Sequence, residues 1–284
     1  PNRTITGKFE DQRYIIVGAN GYIISPFKTQ QVGTNNWKGV TYGNGKYVAV
    51  GYGSSENVVY STDGINWTTK SIDSQYWKGV TYGNGKFVAV GYGNIAYSTD
   101  GTNWTTKSIG SQFWFAVTYG NGKFVAVGND RNFAYSYDGI NWTTKVVTGG
   151  NSMNGWNAIT YGNGKYVAGG SDGDLAYSTD GINWTVKFVN GLTFECGIYG
   201  DDKFVMGTDR GIAYSTDGIN WTTKSLGSQY WFGITYSNQK FIMVGSKGAI
   251  STSTDGINWT TPTQLKDESG NVVTANLNGI CTMH

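Results

Sequence analysis

The stretch STDGINW, residues 61–67, decides the fold because it returns along the chain. It recurs unchanged at 178–184, 215–221 and 253–259, and it has near copies in STDGTNW at 98–104 and SYDGINW at 136–142. Each copy carries Asp-Gly, a pair that supplies positive φ in a tight hairpin turn. The repetition predicts a repeat architecture in which this stretch connects two strands.

A second phrase, WKGVTYGNGKYVAVG at 37–51, returns every 37 to 42 residues. Its copies begin at Trp77, Trp114, Trp156, Phe194 and Trp231. Within a unit, the turns GNG and TDGIN separate four short runs, as in WKGVTY, KYVAV, VVYS and WTTKSI. This pattern predicts four-stranded antiparallel blades of a β-propeller.

We predict a single all-β domain over residues 1–284, a seven-bladed propeller closed by its N- and C-terminal segments. The closing blade is expected to combine 1–36 with 277–284, because RYIIVGANGYIISPFKTQQV aligns with the second to fourth strands of a unit and LNGICTMH with the first. The other blades are expected at 37–76, 77–113, 114–155, 156–193, 194–230 and 231–276. Such closure removes free sheet edges. A second interpretation gives the first strand of the closing blade to TITGKF at 4–9.

Composition excludes several classes of protein. Charged residues make up 14% of the 284 residues and the net charge is +2, with lysines at fixed places in every unit rather than in one basic track. Nucleic-acid binding is therefore not expected. No apolar run approaches the roughly 20 residues that span a bilayer, so no membrane insertion is expected. Cys196 and Cys281 fall in different units and are expected to remain free thiols.

The pattern Ser-x-Asp-Gly-x-x-Trp resembles a shortened Asp-box, or BNR, repeat of sialidase-like propellers. In that family the box is structural, which implies a scaffold role here for Asp63, Asp100, Asp138, Asp180, Asp217 and Asp255. The wider phrase resembles the propeller repeats of phage tail receptor-binding proteins and bacterial surface proteins. This resemblance implies a lectin-like host-recognition protein, extracellular on a virion tail or secreted or surface-attached, whose partner is a cell-surface glycan or wall glycopolymer. Because the units are nearly identical, binding is expected to be multivalent.

The ligand is expected on the face where the units differ. GNG and TDGIN turns share one end of the strands, while the second-to-third and blade-to-blade connections share the other. Aromatic rings stack on sugars and amides bind hydroxyls, so the first predicted set is Gln75, Tyr76, Gln112, Phe113, Gln229 and Tyr230. The second set is charged and comprises Asp130, Arg131, Asp172, Asp174, Asp209 and Arg210. The alternatives are rings that fill gaps between blades, as expected for Trp37 and its equivalents, and solvated loop charges.

No catalytic residue, metal site or cofactor is predicted. The chain has four arginines, and its one histidine is His284, which removes the arginine cluster of sialidases and histidine-based chemistry. Glu195 is the main catalytic alternative, as an acid at the inner-strand position that other units fill with Lys38, Lys78, Phe115, Asn157 and Phe232. A protein-binding or structural platform is the alternative function, and a glycoside hydrolase the less favoured one.

Overall fold

The computed structural model describes residues 14–73, 76–149, 155–189 and 191–283. These residues form antiparallel strands joined by tight turns, with 3-10 helices at Ala19–Gly21 and Ser246–Gly248. Hairpins close through residues in the left-handed region, as at Asn44 and Gly45 with φ of 45° and 74°. The local structure therefore follows the turn chemistry of the repeated phrases.

The strands are given in chain order, grouped by sheet. The N-terminal group is β1 (Tyr14–Gly18), β2 (Tyr22–Ser25) and β3 (Lys28–Gln31). The next sheet is β4 (Asn36–Gly43), β5 (Lys46–Tyr52), β6 (Val58–Ser61) and β7 (Thr68–Lys70). Then come β8 (Trp77–Gly83), β9 (Lys86–Ser98), β10 (Thr105–Gly120), β11 (Lys123–Gly128), β12 (Asn132–Ser136) and β13 (Thr143–Val146).

The remaining strands form three sheets and one further strand. They are β14 (Trp156–Gly162), β15 (Lys165–Gly170), β16 (Asp174–Ser178) and β17 (Thr185–Phe188); β18 (Phe194–Gly200), β19 (Lys203–Thr208), β20 (Gly211–Ser215) and β21 (Thr222–Ser225); and β22 (Trp231–Ser237), β23 (Lys240–Gly245), β24 (Ala249–Ser253) and β25 (Thr263–Gln264). The last strand, β26 (Leu277–Thr282), pairs with β1 and completes the N-terminal group as a four-stranded sheet in the order β26-β1-β2-β3.

The prediction of seven blades is wrong: the described strands form six sheets. Strands β8 to β13 belong to one six-stranded sheet, which joins the units that begin at Trp77 and Trp114. The connection VAVGYGNIAYS at 88–98 is three residues shorter than VAVGYGSSENVVYS at 48–61, and β9 runs through it without a break. β10 follows β9 and continues into the next unit: Thr105 to Ser108 pair with β9, and Trp114 to Gly120 pair with β11.

The sheets surround a central channel. Each inner strand packs against the next around the ring, in the order β4, β8, β10, β14, β18, β22 and β26, and β26 packs against β4. The six-stranded sheet contributes two of these strands, β8 and β10. The sheet that closes the ring joins β26 to β1 with Ile280 opposite Ile16. The protein is thus an all-β propeller of antiparallel sheets.

The core lies between successive sheets. Trp37, Trp77, Trp114 and Trp231 at the starts of inner strands are fully buried, which confirms the packing role expected for them. The ring nitrogen of Trp77 donates to the carbonyl of Ile72 at 3.0 Å. Cys196 and Cys281 are free thiols, as expected.

The STDGINW turns are held by their own side chains. Asp63 Oδ1 accepts the backbone N–H groups of Ile65 and Asn66, both at 2.8 Å, and Ser61 Oγ accepts that of Gly64 at 2.9 Å. These N–H bonds from Asn66 and Ile65 hold the pKa of Asp63 well below its usual range. The equivalent aspartates in the other copies accept the same pair of bonds, which confirms the predicted hydrogen bonding within each turn.

A cavity of about 520 Å³ opens beside the closing sheet, at the end of the strands that carries the GNG-type turns. It is lined mainly by polar residues of the turn after β22, together with Tyr14 and Thr282 of the closing sheet. In five other units a tyrosine of the following inner strand lies against a glycine at this place. Ser237 and Thr282 replace that glycine and tyrosine, so the space is left unfilled.

Candidate binding face at the mouth of the central channel

Each inner strand begins with a β-bulge. Trp37 lies opposite Gly51 and Gly39 lies opposite Val50, so Lys38 has no residue opposite it. The same shift follows Trp77, Trp114, Trp156, Phe194 and Trp231, and a related one lies between Val17 and Gly18 opposite β26. A bulge re-aims the side chain of the extra residue. The bulged side chains line the channel mouth and are Lys38, Lys78, Phe115, Asn157, Glu195, Phe232 and Asn278.

Small residues follow the bulges and allow the inner strands to approach closely. A Cβ at Gly39 would lie 3.2 Å from the backbone nitrogen of Val80, and one at Gly79 would lie 3.1 Å from Cα of Ala116. The channel is therefore tight just below the bulged residues. The pocket above this constriction has a volume of about 200 Å³, enough for one small chemical group.

Two lysines that line this pocket converge on one aromatic ring beside it. Lys38 Nζ lies 5.6 Å and Lys78 Nζ 5.4 Å from the centroid of Tyr52, and Lys78 Nζ also lies 5.9 Å from that of Phe115. Such cation–π contacts hold ammonium groups without neutralising them. Lys38 Nζ also donates to Asn278 Oδ1 at 3.4 Å, and Asn278 Nδ2 donates to the carbonyl of Trp37 at 2.9 Å.

The pocket moves the pKa values of its charged groups toward neutral pH. Burial lowers the pKa of Lys38 to about 8, with a further contribution from the like charge of Lys78. Burial also lowers the pKa of Lys78. Burial raises the pKa of Glu195 to about 7, assisted by the Asp209 carboxylate and opposed by both lysines. Glu195 and Lys38 therefore change charge near pH 7 and pH 8, respectively.

Glu195 is not an ion-pair partner of the lysines. The ion pairs found within the described part of the chain are Lys203–Asp201 and Arg210–Asp209. Glu195 lies on β18, which is not next to β4 or β8 in the ring. The lysines and the acid thus occupy different sectors of the same pocket.

Aromatic side chains, exposed except for the partly buried Tyr52, lie around part of this mouth. Tyr52 and Tyr76 have ring centroids 4.9 Å apart, and Tyr92 and Phe113 have theirs 4.3 Å apart. Tyr76 and Tyr230 are 55% and 50% exposed, so both rings are open to solvent.

The rim rings continue into the channel lining. Phe113 stacks on Phe115 with centroids 6.5 Å apart, and Tyr230 stacks on Phe232 at 6.3 Å. Apolar rings therefore extend from the pocket onto the rim. We call the residues Tyr52, Tyr76, Tyr92, Phe113, Tyr230 and the bulged side chains the mouth face.

The structure brings part of the first predicted set to the mouth face. Tyr76, Phe113 and Tyr230 are exposed there, whereas Gln75 lies outside the described residues. Gln112 and Gln229 are partly buried, and Gln229 Oε1 accepts a hydrogen bond from Ser246 Oγ at 2.9 Å. The rings of this set are available to a ligand, while Gln229 is engaged within the protein.

The second predicted set divides between surface and interior. Asp130, Asp172 and Arg210 are exposed and Arg131 is partly buried. Asp174 begins β16 and is only 3% exposed.

Asp209 is held within its own loop. Its carboxylate lies 3.3 Å from Arg210 Nε and accepts the backbone N–H of Thr193 at 3.1 Å. Asp209 thus acts on the pocket through its charge near Glu195.

Sequence reasoning left the two lysines and Tyr52 out of the candidate set. Lys38 and Lys78 occupy the position after the first aromatic residue of the repeated phrase, which changes from unit to unit while its neighbours hardly vary. That variation was the available signal. It did not reveal the bulge, which depends on strand register.

The described residues offer no group of three or more His, Cys, Asp or Glu side chains placed to hold a metal ion. They also contain no helix with the length and apolar character needed to cross a membrane.

Comparison with known proteins supports the fold alone. No family model matches the sequence, and no curated protein is detectably similar to it. The solved structure "YCF48 bound to D1 peptide" superposes with a TM-score of 0.65 at 15% identity, covering 96% of this chain and 94% of that one. YCF48 from Cyanidioschyzon merolae gives 0.62 at 12% identity, over 87% and 94% of the two chains. The computationally designed Ika8 protein gives 0.62 at 13%, over 97% and 89%. These likenesses define the class of protein as a β-propeller.

Proposed function

We propose that this propeller is a non-catalytic binding module that recognises a cell-surface or cell-wall polysaccharide through the mouth face. The observation that carries the proposal is the set of exposed rings around a polar pocket, with Tyr76, Phe113 and Tyr230 each in contact with another ring. Sugar rings present flat C–H faces that stack on aromatic side chains, and their hydroxyls bind amides and charged groups.

The spread of the rings favours an extended ligand. Tyr76, Phe113 and Tyr230 belong to three different connections between units, and together they offer several weak contacts rather than one deep site. Linked weak contacts give high overall affinity when one polymer reaches more than one of them. A receptor-binding role on a phage tail, or on a secreted or surface-attached bacterial protein, would use such a surface outside a cell.

The pocket does not favour hydrolysis. Cleavage of a glycosidic bond uses two carboxyl groups roughly 5 to 10 Å apart on either side of the bond. Glu195 is the one carboxyl among the described residues that line the pocket. The neighbouring Asp209 is bound to Arg210 and to the backbone of Thr193.

A protein or peptide partner is the second candidate. The similar structure of YCF48 is described as bound to a D1 peptide, and an exposed aromatic surface also suits side chains of a protein. Soluble polysaccharide would then fail to compete for the mouth face.

A binding screen tests the proposal. The labelled protein would be applied to an array of bacterial wall and capsular polysaccharides, while the release of reducing ends is followed in parallel. Binding without release is the expected result. Release of reducing ends would make Glu195 a catalytic candidate, and the absence of binding to every polysaccharide would favour a protein partner.

A further inference from the structure

We infer that Lys38 and Lys78 form an anion subsite at the centre of the mouth face, which selects polysaccharides that carry carboxylate or phosphate groups. This inference rests on the proposed function and adds the class of glycan. Its structural basis is the convergence of two ammonium groups in one small pocket.

The two lysines are brought together by the fold. Each occupies the bulge of its own inner strand, and β4 and β8 are neighbours in the ring. Both ammonium groups approach the ring of Tyr52, at 5.6 Å and 5.4 Å. Two like charges in a partly buried pocket repel each other, and a bound anion relieves that repulsion.

Most of the N–H donors of the two ammonium groups make no hydrogen bond to the described residues. Lys78 Nζ makes no hydrogen bond to any described residue, and Lys38 Nζ makes one long bond of 3.4 Å to Asn278. By contrast, Lys46 Nζ, at another place in the repeat, donates to the carbonyl of Asp100 at 2.8 Å. An ammonium group has three N–H donors, so the pocket offers several to a ligand oxygen.

Glu195 does not neutralise the two lysines in place of a bound anion. It lies on a non-adjacent inner strand and is outside ion-pair distance of both lysines. Burial and Asp209 raise its pKa to about 7, so a large fraction of Glu195 is protonated at neutral pH. A protonated carboxyl can donate a hydrogen bond to a sugar hydroxyl or to the anion itself.

The dimensions assign different parts of the ligand to different parts of the face. A pocket of about 200 Å³ accepts one carboxylate or phosphate group, and the rim rings are left for the sugars. Affinity would come from the rings and selectivity from the lysines. The shared chemistry is an anionic oxygen, supplied by a uronic acid or by a phosphodiester.

The test compares matched ligands by titration calorimetry. A polyuronate oligosaccharide, its carboxyl-reduced neutral counterpart and a glycerol-phosphate oligomer would be titrated into the intact protein and into Lys38→Gln/Lys78→Gln. Loss of both charged hydrogen bonds should weaken binding of the preferred acidic ligand by about 10- to 100-fold. Binding of the neutral ligand should change by less than about twofold, and comparison of the two acidic ligands identifies the source of the anion.

Two control variants complete the test. Lys224→Gln removes an exposed lysine that contacts Asn258 away from the mouth, and it should leave all titrations unchanged. Lys78→Arg keeps the positive charge and should therefore keep most of the affinity for the acidic ligand that Lys78→Gln loses. Equal binding of the acidic ligand by wild type and by Lys38→Gln/Lys78→Gln would overturn the subsite. Failure of both neutral and acidic glycans to bind wild type would instead overturn the proposed function.

Discussion

Tyr82 occupies the space that a side chain at Gly43 would need, because a Cβ added to Gly43 would overlap the Tyr82 ring. The same relation joins each of four further glycines to a tyrosine of the following inner strand, at Gly83, Gly120, Gly162 and Gly200. These contacts fill the space between neighbouring inner strands at one end of the channel. Ser237 and Thr282 interrupt the series, beside the cavity of about 520 Å³.

Restoring the glycine and tyrosine that Ser237 and Thr282 replace should stabilise the propeller. In Ser237→Gly/Thr282→Tyr the new tyrosine would fill part of the cavity, and we expect the free energy of unfolding to rise by about 1 kcal/mol. Thr282→Tyr alone should destabilise the protein, because the Ser237 side chain would overlap the new tyrosine ring. Chemical denaturation of the three proteins measures this, and a stabilising single substitution would contradict the proposed packing.

The repeated aspartate turns should make stability depend on pH in the acid range. Hydrogen bonds from Asn66 and Ile65 hold the folded pKa of Asp63 below its value in the unfolded chain. The stabilisation is therefore complete above about pH 4 and is lost as pH falls below it. Denaturation midpoints between pH 6 and 2 should fall for wild type and fall less for Asp63→Asn. Asp63→Ala should lose about 1 kcal/mol at pH 7.

Two aromatic residues close in sequence should behave in opposite ways. Trp67 is partly buried, packs against a core cluster and donates its ring N–H to the carbonyl of Gly64 at 3.3 Å. Trp67→Ala should lower the free energy of unfolding by about 2 to 4 kcal/mol. Tyr76 is 55% exposed, and Tyr76→Ala should change it by less than about 1 kcal/mol. Thermal unfolding of the two variants tests the contrast, and similar losses would show that Tyr76 is structural.

Binding of an acidic glycan should weaken as pH rises from 6 to 9. Lys38 loses its proton near pH 8 and Glu195 becomes negative near pH 7, so both changes disfavour an anion. Lys78 and Asp209 are the other charged groups that act on these two residues. Glu195→Gln should remove the part of the decrease centred near pH 7 and leave the part near pH 8. A neutral glycan should show little of either dependence, and a pH-independent acidic titration would contradict the assignment of Lys38.

The sequence predicts the four-stranded unit well because the same turn chemistry is repeated in every unit. Asp-Gly and Asn-Gly define hairpins locally, and Trp37 with its equivalents marks the start of each inner strand. The number of sheets was wrong because continuity between units depends on the connection around Gly93, where β9 does not break and β10 follows it. Nothing in the repeated phrase marks that difference apart from its length.

The candidate site was predicted in part. Tyr76, Phe113 and Tyr230 stood out because they are large aromatic residues in connections, where burial is not expected. Lys38 and Lys78 did not, because a lysine at a strand start usually faces solvent. Their convergence on Tyr52 depends on the bulge and on the order of strands around the ring, which are three-dimensional properties.

The central claim, that the mouth face binds the ligand, is tested most directly by comparing two tyrosine variants against the same polysaccharide. Titration calorimetry would measure wild type, Tyr76→Ala/Tyr230→Ala and Tyr137→Ala, the last removing a tyrosine that is 59% exposed in a turn at the opposite end of the strands. The account predicts at least a tenfold loss of affinity for the double variant, since each stacking contact contributes about 1 kcal/mol, and no change for Tyr137→Ala. Unchanged binding by the double variant, or a loss confined to Tyr137→Ala, would contradict it.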